Sequence, residues 1–198
     1  SISEKDAVKK FEGRWGRKIY PRSGLALTEL GAAADAMELK ALYITGGRND
    51  MRTGKEAPGN LEFLAVQDMF LSETAQQADV VFPSVSFAEK DGTFTSMDRR
   101  VKRIRKAVEP QNECRPDIDI ICELAGRTGL PLDYSGPAEI MEEIAGLTPI
   151  YGGINYPRLD GDGLQWPCPD VNHPGTKFIN PDNFSRGKGK FQIVGLQR

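Results

Sequence analysis

The sequence predicts an α/β fold, a parallel sheet flanked by helices and followed by an extended Gly/Pro-rich C-terminal segment. Three observations carry this. The short apolar runs 41–45, 61–66 and 80–82 lack alternation, the pattern of strands buried on both faces of a parallel sheet. Helix-like stretches lie before, between and after them, as parallel crossovers require. From Leu147 onward Gly and Pro recur every few residues and helical periodicity vanishes. The expected division is 1–146 for the sheet domain and 147–198 for a segment packed on it and leading toward a further domain.

Each element has a local reason. Residues 1–27 mix Phe11, Trp15, Ile19 and Leu25 with Gly and basic residues and read as an arm over the core. Thr28 reads as an N-cap, with Leu30, Ala33, Ala34 and Met37 on one helical face. Ala41 to Thr45 is a buried strand stopped by Gly46-Gly47, and Arg48 to Asn60 is loop. The second strand ends at Gln67-Asp68, after which Ser72 or Thr74 caps a short helix and Val80-Val81-Phe82 makes a third strand closed by Pro83. Pro116 opens a helix presenting Ile118, Ile121, Cys122 and Ala125, with Gly129 as its stop. Ser135, Pro137, Ile140, Met141 and Ile144 mark another.

Composition narrows the chemistry. The chain has 198 residues, 39% of them hydrophobic, and a net charge of -2, so it is globular and has no global pull toward nucleic acid or anionic membrane. Cys114, Cys122, Cys168 and His173 are its only thiols and imidazole, without CxxC or HExxH spacing, so no closed zinc site is expected. No disulfide framework, signal peptide or long apolar span is visible, and a reducing, cytoplasmic setting is expected.

In an open parallel sheet, ligands bind beyond the carboxyl ends of the strands. Three features fall there: Gly46-Gly47, where bare backbone can approach a phosphate; Asp68, placed where a carboxylate meets ribose hydroxyls; and the Glu89–Phe94 loop with Lys90. Taken alone, a turn with a solvated Asp and an exposed Lys in a polar loop explains these residues better than a nucleotide site does. Asp117, in the first turn of the Pro116 helix, serves either the helix dipole or a ligand. The run Arg99 to Lys106 holds six basic residues in eight, but Val101 and Ile104 interrupt it and no aromatic residue interleaves it, so an ordinary solvated or anion-facing edge is favoured over nucleic-acid binding. Cys168 and His173 are expected to be structural.

The strings Ala41-Leu42-Tyr43-Ile44 into Gly46, Phe63 through Asp68, Thr74 through Pro83, and Phe87 through Thr95 with Arg99-Arg100-Val101 resemble, in order and spacing, the third domain of molybdopterin oxidoreductases. In the tail, Tyr151-Gly152-Gly153-Ile154, Arg158-Leu159, Gly163 through Pro169 and His173 through Thr176 resemble formate dehydrogenase alpha subunits. The resemblance implies a Rossmann-like unit binding one of two molybdopterin guanine dinucleotides that hold molybdenum or tungsten. It implies cofactor-binding roles for Gly46, Asn49, Gln67, Asp68, Thr74, Lys90 and Asp117: Gln67 and Asp68 at the guanosine, Lys90 at the cofactor, Asp117 at the guanine edge. No metal ligand, catalytic residue or iron-sulfur cysteine of the family has a counterpart here. The chain is therefore expected to be an internal piece of a larger subunit, not catalytic alone, whose missing N-terminal part carries a 4Fe-4S cluster. Expected partners are the remaining domains of the same subunit and iron-sulfur or diaphorase-type electron-transfer subunits, with no nucleic acid and no membrane contact. Formate oxidation is the leading expectation; nitrate reduction, a non-catalytic electron-transfer scaffold and an NAD-binding domain are the alternatives.

Overall fold

The computed structural model describes residues 5–20, 24–46, 60–181, 183–184 and 187–189. Its centre is a parallel three-stranded sheet of order β1-β2-β3, with β1 at Ala41–Thr45, β2 at Phe63–Asp68 and β3 at Val80–Pro83. β2 is the middle strand, and Leu64 to Asp68 are all buried, which is why its run is continuously apolar up to the functional end. Leu64 and Val66 pack with Ala75 and the partly buried Leu42, Ile44, Leu61 and Ala78 on one face, the two buried side chains Leu64 and Val66 each stabilising the fold by about 1.5–3 kcal/mol. The opposite face carries Tyr43, Ala65, Gln67 and Phe82, which the register places side by side.

The first helix is a departure from the sequence reading: α1 spans Lys5–Trp15 where an irregular arm was expected. Phe11 and Trp15 stack one turn apart with ring centroids at 4.9 Å. Their helix is held from afar, because Glu143 accepts from Arg14 Nε and Trp15 Nε1, both at 2.9 Å. Helix α2 (Leu27–Asp35) begins earlier than a Thr28 cap allows: the cap is Ala26, whose N–H donates to the Glu29 carboxylate at 2.6 Å. Ala33 and Ala34 are buried, whereas Met37 lies past the helix at φ 58° and is exposed. Ser72, not Thr74, caps the short α3 (Glu73–Gln76) by accepting from the Ala75 N–H.

A second sheet stands where the sequence suggested a loop and a solvated edge. β4 (Gly92–Thr95) pairs antiparallel with β5 (Arg100–Ile104), which also pairs with β6 (Leu164–Gln165). The basic run is thus a strand, and its charges are largely satisfied within the chain. Arg103 and Arg105 pair with Asp160 at 2.7 and 2.6 Å, Arg100 with Asp98, and Lys106 with Glu109. Arg99, at φ 67°, donates to the carbonyls of Trp166, Thr176 and Lys177.

Two longer helices follow, α4 (Asp117–Arg127) and α5 (Pro137–Leu147). α4 buries Ile120 rather than Ile118 or Ile121, so its packed face is turned from the one the spacing suggested. Pro116 is its N-cap, and Leu130 N–H donating to Ala125 O with Gly129 at φ 79° closes its end. The Gly/Pro-rich tail is no loose extension: Ile154, Leu159 and Cys168 are fully buried with Val101 and Met141 in one cluster. Here glycine is obligatory, since a Cβ on Gly153 would stand 1.9 Å from Asp170 O and one on Gly152 2.3 Å from Pro169 O. Arg158 ties the same stretch, donating to the carbonyls of Gly153, Asp170 and His173. Among the described residues, no helix is long and apolar enough to cross a membrane.

Candidate functional site at the end of the parallel sheet

The polar cluster forms where β2 ends. Gln67 is the last residue of β2 to face the Tyr43 side, and at 1% exposure its amide must find partners inside the protein. Tyr43 Oη donates to Gln67 Oε1, and Gln67 Nε2 donates to Asp117 Oδ1 at 2.6 Å. Lys90 Nζ completes the cluster with an ion pair to Asp117 Oδ2.

Separate elements deliver these groups. Asp117 opens α4, and α4 is moored to the sheet because Ser84 and Arg115 form a parallel bridge and Arg115 N–H donates to Pro83 O at 3.0 Å. That bridge sets the first turn of α4 beside the ends of β2 and β3. Lys90 follows the 3-10 turn Phe87–Glu89, which the Glu89 carboxylate clamps by accepting from Ser86 N–H, Ser86 Oγ and Gln111 N–H. The Ser86 hydrogen bonds hold the Glu89 carboxyl below the usual carboxylate range. Gly46 takes φ 62° directly after β1, and its N–H donates to Gln67 O at 2.9 Å.

Electrostatics favour an ionised Asp117. Burial alone would raise its pKa, but hydrogen bonds from Lys90 and Gln67 and the Lys90 charge outweigh it, so the carboxyl sits below its ordinary value. A carboxylate has about four acceptor positions, so both oxygens keep capacity beyond Gln67 and Lys90. Tyr43 is shifted the other way: burial, then the Asp117 charge, push its phenol above the ordinary value.

Asp68 lies one residue on. It is 7% exposed; Oδ1 accepts from Phe70 N–H at 3.1 Å, while Oδ2 is buried with no hydrogen-bond partner among the described residues. A buried acceptor of this kind is costly unless a donor comes from outside the chain. A hydroxyl-bearing ligand at the strand end fits it.

Of the sequence-predicted residues, Gln67, Lys90 and Asp117 meet in one hydrogen-bonded cluster; Gly46 N–H bonds the Gln67 carbonyl, and Asp68 is next in the chain but turns its side chain to the opposite face of the sheet. Thr74 does not join them: it sits in α3, whose Ala75 packs on the face opposite Gln67. Asn49 lies outside the described residues. The residue overlooked was Tyr43. Its signal was present, since in a strand ending at Thr45 the side chains of 43 and 45 share a face, and the register aligns that face with Gln67. Among the described residues, no group of three His, Cys, Asp or Glu side chains could hold a metal ion.

Residues 18–127 match the family model described as molybdopterin oxidoreductase. The chain belongs to the molybdopterin oxidoreductase family, and that membership implies a molybdopterin cofactor. It is 44% identical, over 97% of its length, to the F420-dependent formate dehydrogenase subunit alpha of Methanocaldococcus jannaschii. It is 39% identical, over 96% of its length, to a Staphylococcus aureus protein whose name assigns it as a formate dehydrogenase. The chain spans 29% and 20% of the lengths of these two relatives. Among solved structures, the acetylene hydratase of Pelobacter acetylenicus matches with a TM-score of 0.53 and 20% identity, covering 79% of this chain and 23% of that one. That likeness concerns the fold.

Proposed function

We propose that the chain forms the guanine-dinucleotide half of the cofactor site in a formate dehydrogenase-like molybdopterin oxidoreductase. The observation that carries this is the pairing of a buried, unpartnered Asp68 Oδ2 with an ionised Asp117 at one strand end. Asp68 would accept from ribose hydroxyls. Asp117 would accept from the adjacent N–H donors of the guanine edge, a two-donor, two-acceptor match that adenine lacks. Gly46, whose own N–H is taken by Gln67 O, would leave room for a phosphate to approach because it carries no side chain, and Lys90, ion-paired with Asp117, would bring positive charge to the base end of the site. Thr74 and Asn49 remain candidates for outer contacts.

The named relatives support formate as substrate, oxidised to carbon dioxide, over nitrate. The bound molybdenum or tungsten cofactor would supply the two-electron chemistry; this chain's residues bind the nucleotide, orient it and set its electrostatics. Iron-sulfur clusters, a cytoplasmic setting, electron-transfer partner subunits and the remaining domains of the subunit belong to the same reading. The tail from 147 onward belongs with the β4–β5 hairpin as a second packing unit on the nucleotide domain.

The test uses the full-length subunit. GMP released by acid hydrolysis per polypeptide should fall by about half in Asp68→Ala and Asp117→Ala, because one of the two dinucleotides loses its anchor. Unchanged GMP content in both variants would end this assignment.

A further inference from the structure

Tyr43 has no role in the guanosine contacts argued above, yet the site depends on it geometrically. The Gln67 amide is 1% exposed and its two ends differ in charge but hardly in shape. One end meets Asp117 at 2.6 Å; the other meets only the Tyr43 hydroxyl. If Oε1 faced Asp117, two acceptors would be pressed together; with Nε2 there, Oε1 needs a donor, and Tyr43 Oη is that donor. The phenol is itself aimed by packing, its ring standing edge-on to Phe82 at 6.2 Å and 87°.

We infer that Tyr43 is a positioning residue of the nucleotide site: Asp117 decides which end of the Gln67 amide faces it, and the Tyr43 hydroxyl, by donating to Oε1, holds that amide in place against the carboxylate that meets the guanine edge. The inference rests on the guanosine reading of Asp117. It also assigns Gln67 a different part from direct ligand contact, as the buried link between the phenol and the carboxylate.

A double-mutant cycle in the loaded full-length subunit tests it. The readout is the rate at which GMP-bearing cofactor is lost during dialysis, for wild type, Tyr43→Phe, Gln67→Met and the double variant. Tyr43→Phe keeps the ring and should speed the loss of one dinucleotide about five- to tenfold, the loss of one net hydrogen bond. In the Gln67→Met background the same substitution should add less than twofold, because the amide through which Tyr43 acts is gone. Equal effects in both backgrounds, or none in Tyr43→Phe alone, would overturn the role of Tyr43 while leaving the guanosine reading in place. Unchanged retention in Asp117→Ala would overturn both. Gln67→Leu closes the cycle if Gln67→Met does not fold.

Discussion

Lys90 and Asp117 stand 27 positions apart in the chain and meet in an ion pair at the end of the parallel sheet. Everything between them, the β4–β5 hairpin included, is an excursion that leaves β3 and returns to its side at the Ser84–Arg115 bridge. The pair therefore closes the excursion and builds the candidate site at the same point.

The pair gives a pH signature. The Asp117 carboxyl lies below its ordinary value in the folded chain, so it contributes stability above the unfolded carboxylate pKa, and that contribution is lost as pH falls through the folded value. Asp117→Asn should cost about 1 kcal/mol or less at pH 7, since the side chain is 37% exposed. The gap between variant and wild type should close progressively below about pH 4 in urea titrations. A gap that widens on acidification would contradict the ionised assignment.

How much of this could be read beforehand follows from where each signal resides. The apolar runs marked all three parallel strands, but only β2, ending at Gln67 and Asp68, is buried on both faces as expected; β1 alternates exposed and half-buried residues and β3 is mostly exposed, because each has only β2 as a paired neighbour. The antiparallel hairpin was not, because its turn at 96–99 contains no glycine and relies on Arg99 at φ 67° held by distant carbonyls. Helix α1 was hidden for a related reason: Arg14 and Trp15 find their partner in Glu143, far along the chain. At the site, an exposed loop lysine is the better unaided reading of Lys90 and helix-dipole stabilisation an equal one for Asp117, and only the family resemblance singles them out. For Tyr43, strand parity gives the face it shares with Thr45, but only the β1–β2 register aligns that face with Gln67.

Glycine 153 offers a stability test. A methyl group there would overlap Asp170 O and crowd Arg158 Nη1, so Gly153→Ala should destabilise by about 1–3 kcal/mol and lower the urea midpoint. Trp166, packed on the same cluster, provides the fluorescence signal. A midpoint unchanged from wild type would mean that the 150–170 stretch is not packed as described.

The three thiols should separate under a thiol reagent at pH 7. Cys168 is fully buried and should label only on denaturation, whereas Cys114 and Cys122 are partly exposed. Burial, with the charges of Asp119 and Asp133, raises the Cys122 thiol, so its labelling rate should climb at higher pH than that of an ordinary thiol. Mass mapping of the labelled peptides reads both; native labelling of Cys168 at the rate of Cys114 would refute the burial.

Arg99→Ala should loosen the tail without touching the parallel sheet. The substitution removes donors to Trp166, Thr176 and Lys177, and the stacking of the guanidinium 5.6 Å over the Trp166 ring. Limited proteolysis should then cut between 166 and 177 several times faster, while cleavage within 41–83 stays as in wild type. Equal rates at both places would show that Arg99 is not the latch.

The Ser84–Arg115 bridge has a wider implication for how such a domain can be altered. Because the chain exits and re-enters at adjacent points, the span between can lengthen, shorten or be exchanged without re-threading the three parallel strands. Asp68 and Asp117, where the nucleotide contacts are proposed, lie outside that span, whereas Lys90 and the strand that receives the tail lie within it. Divergence in the span would therefore change the partner of the Asp117 carboxylate and the docking of the tail together.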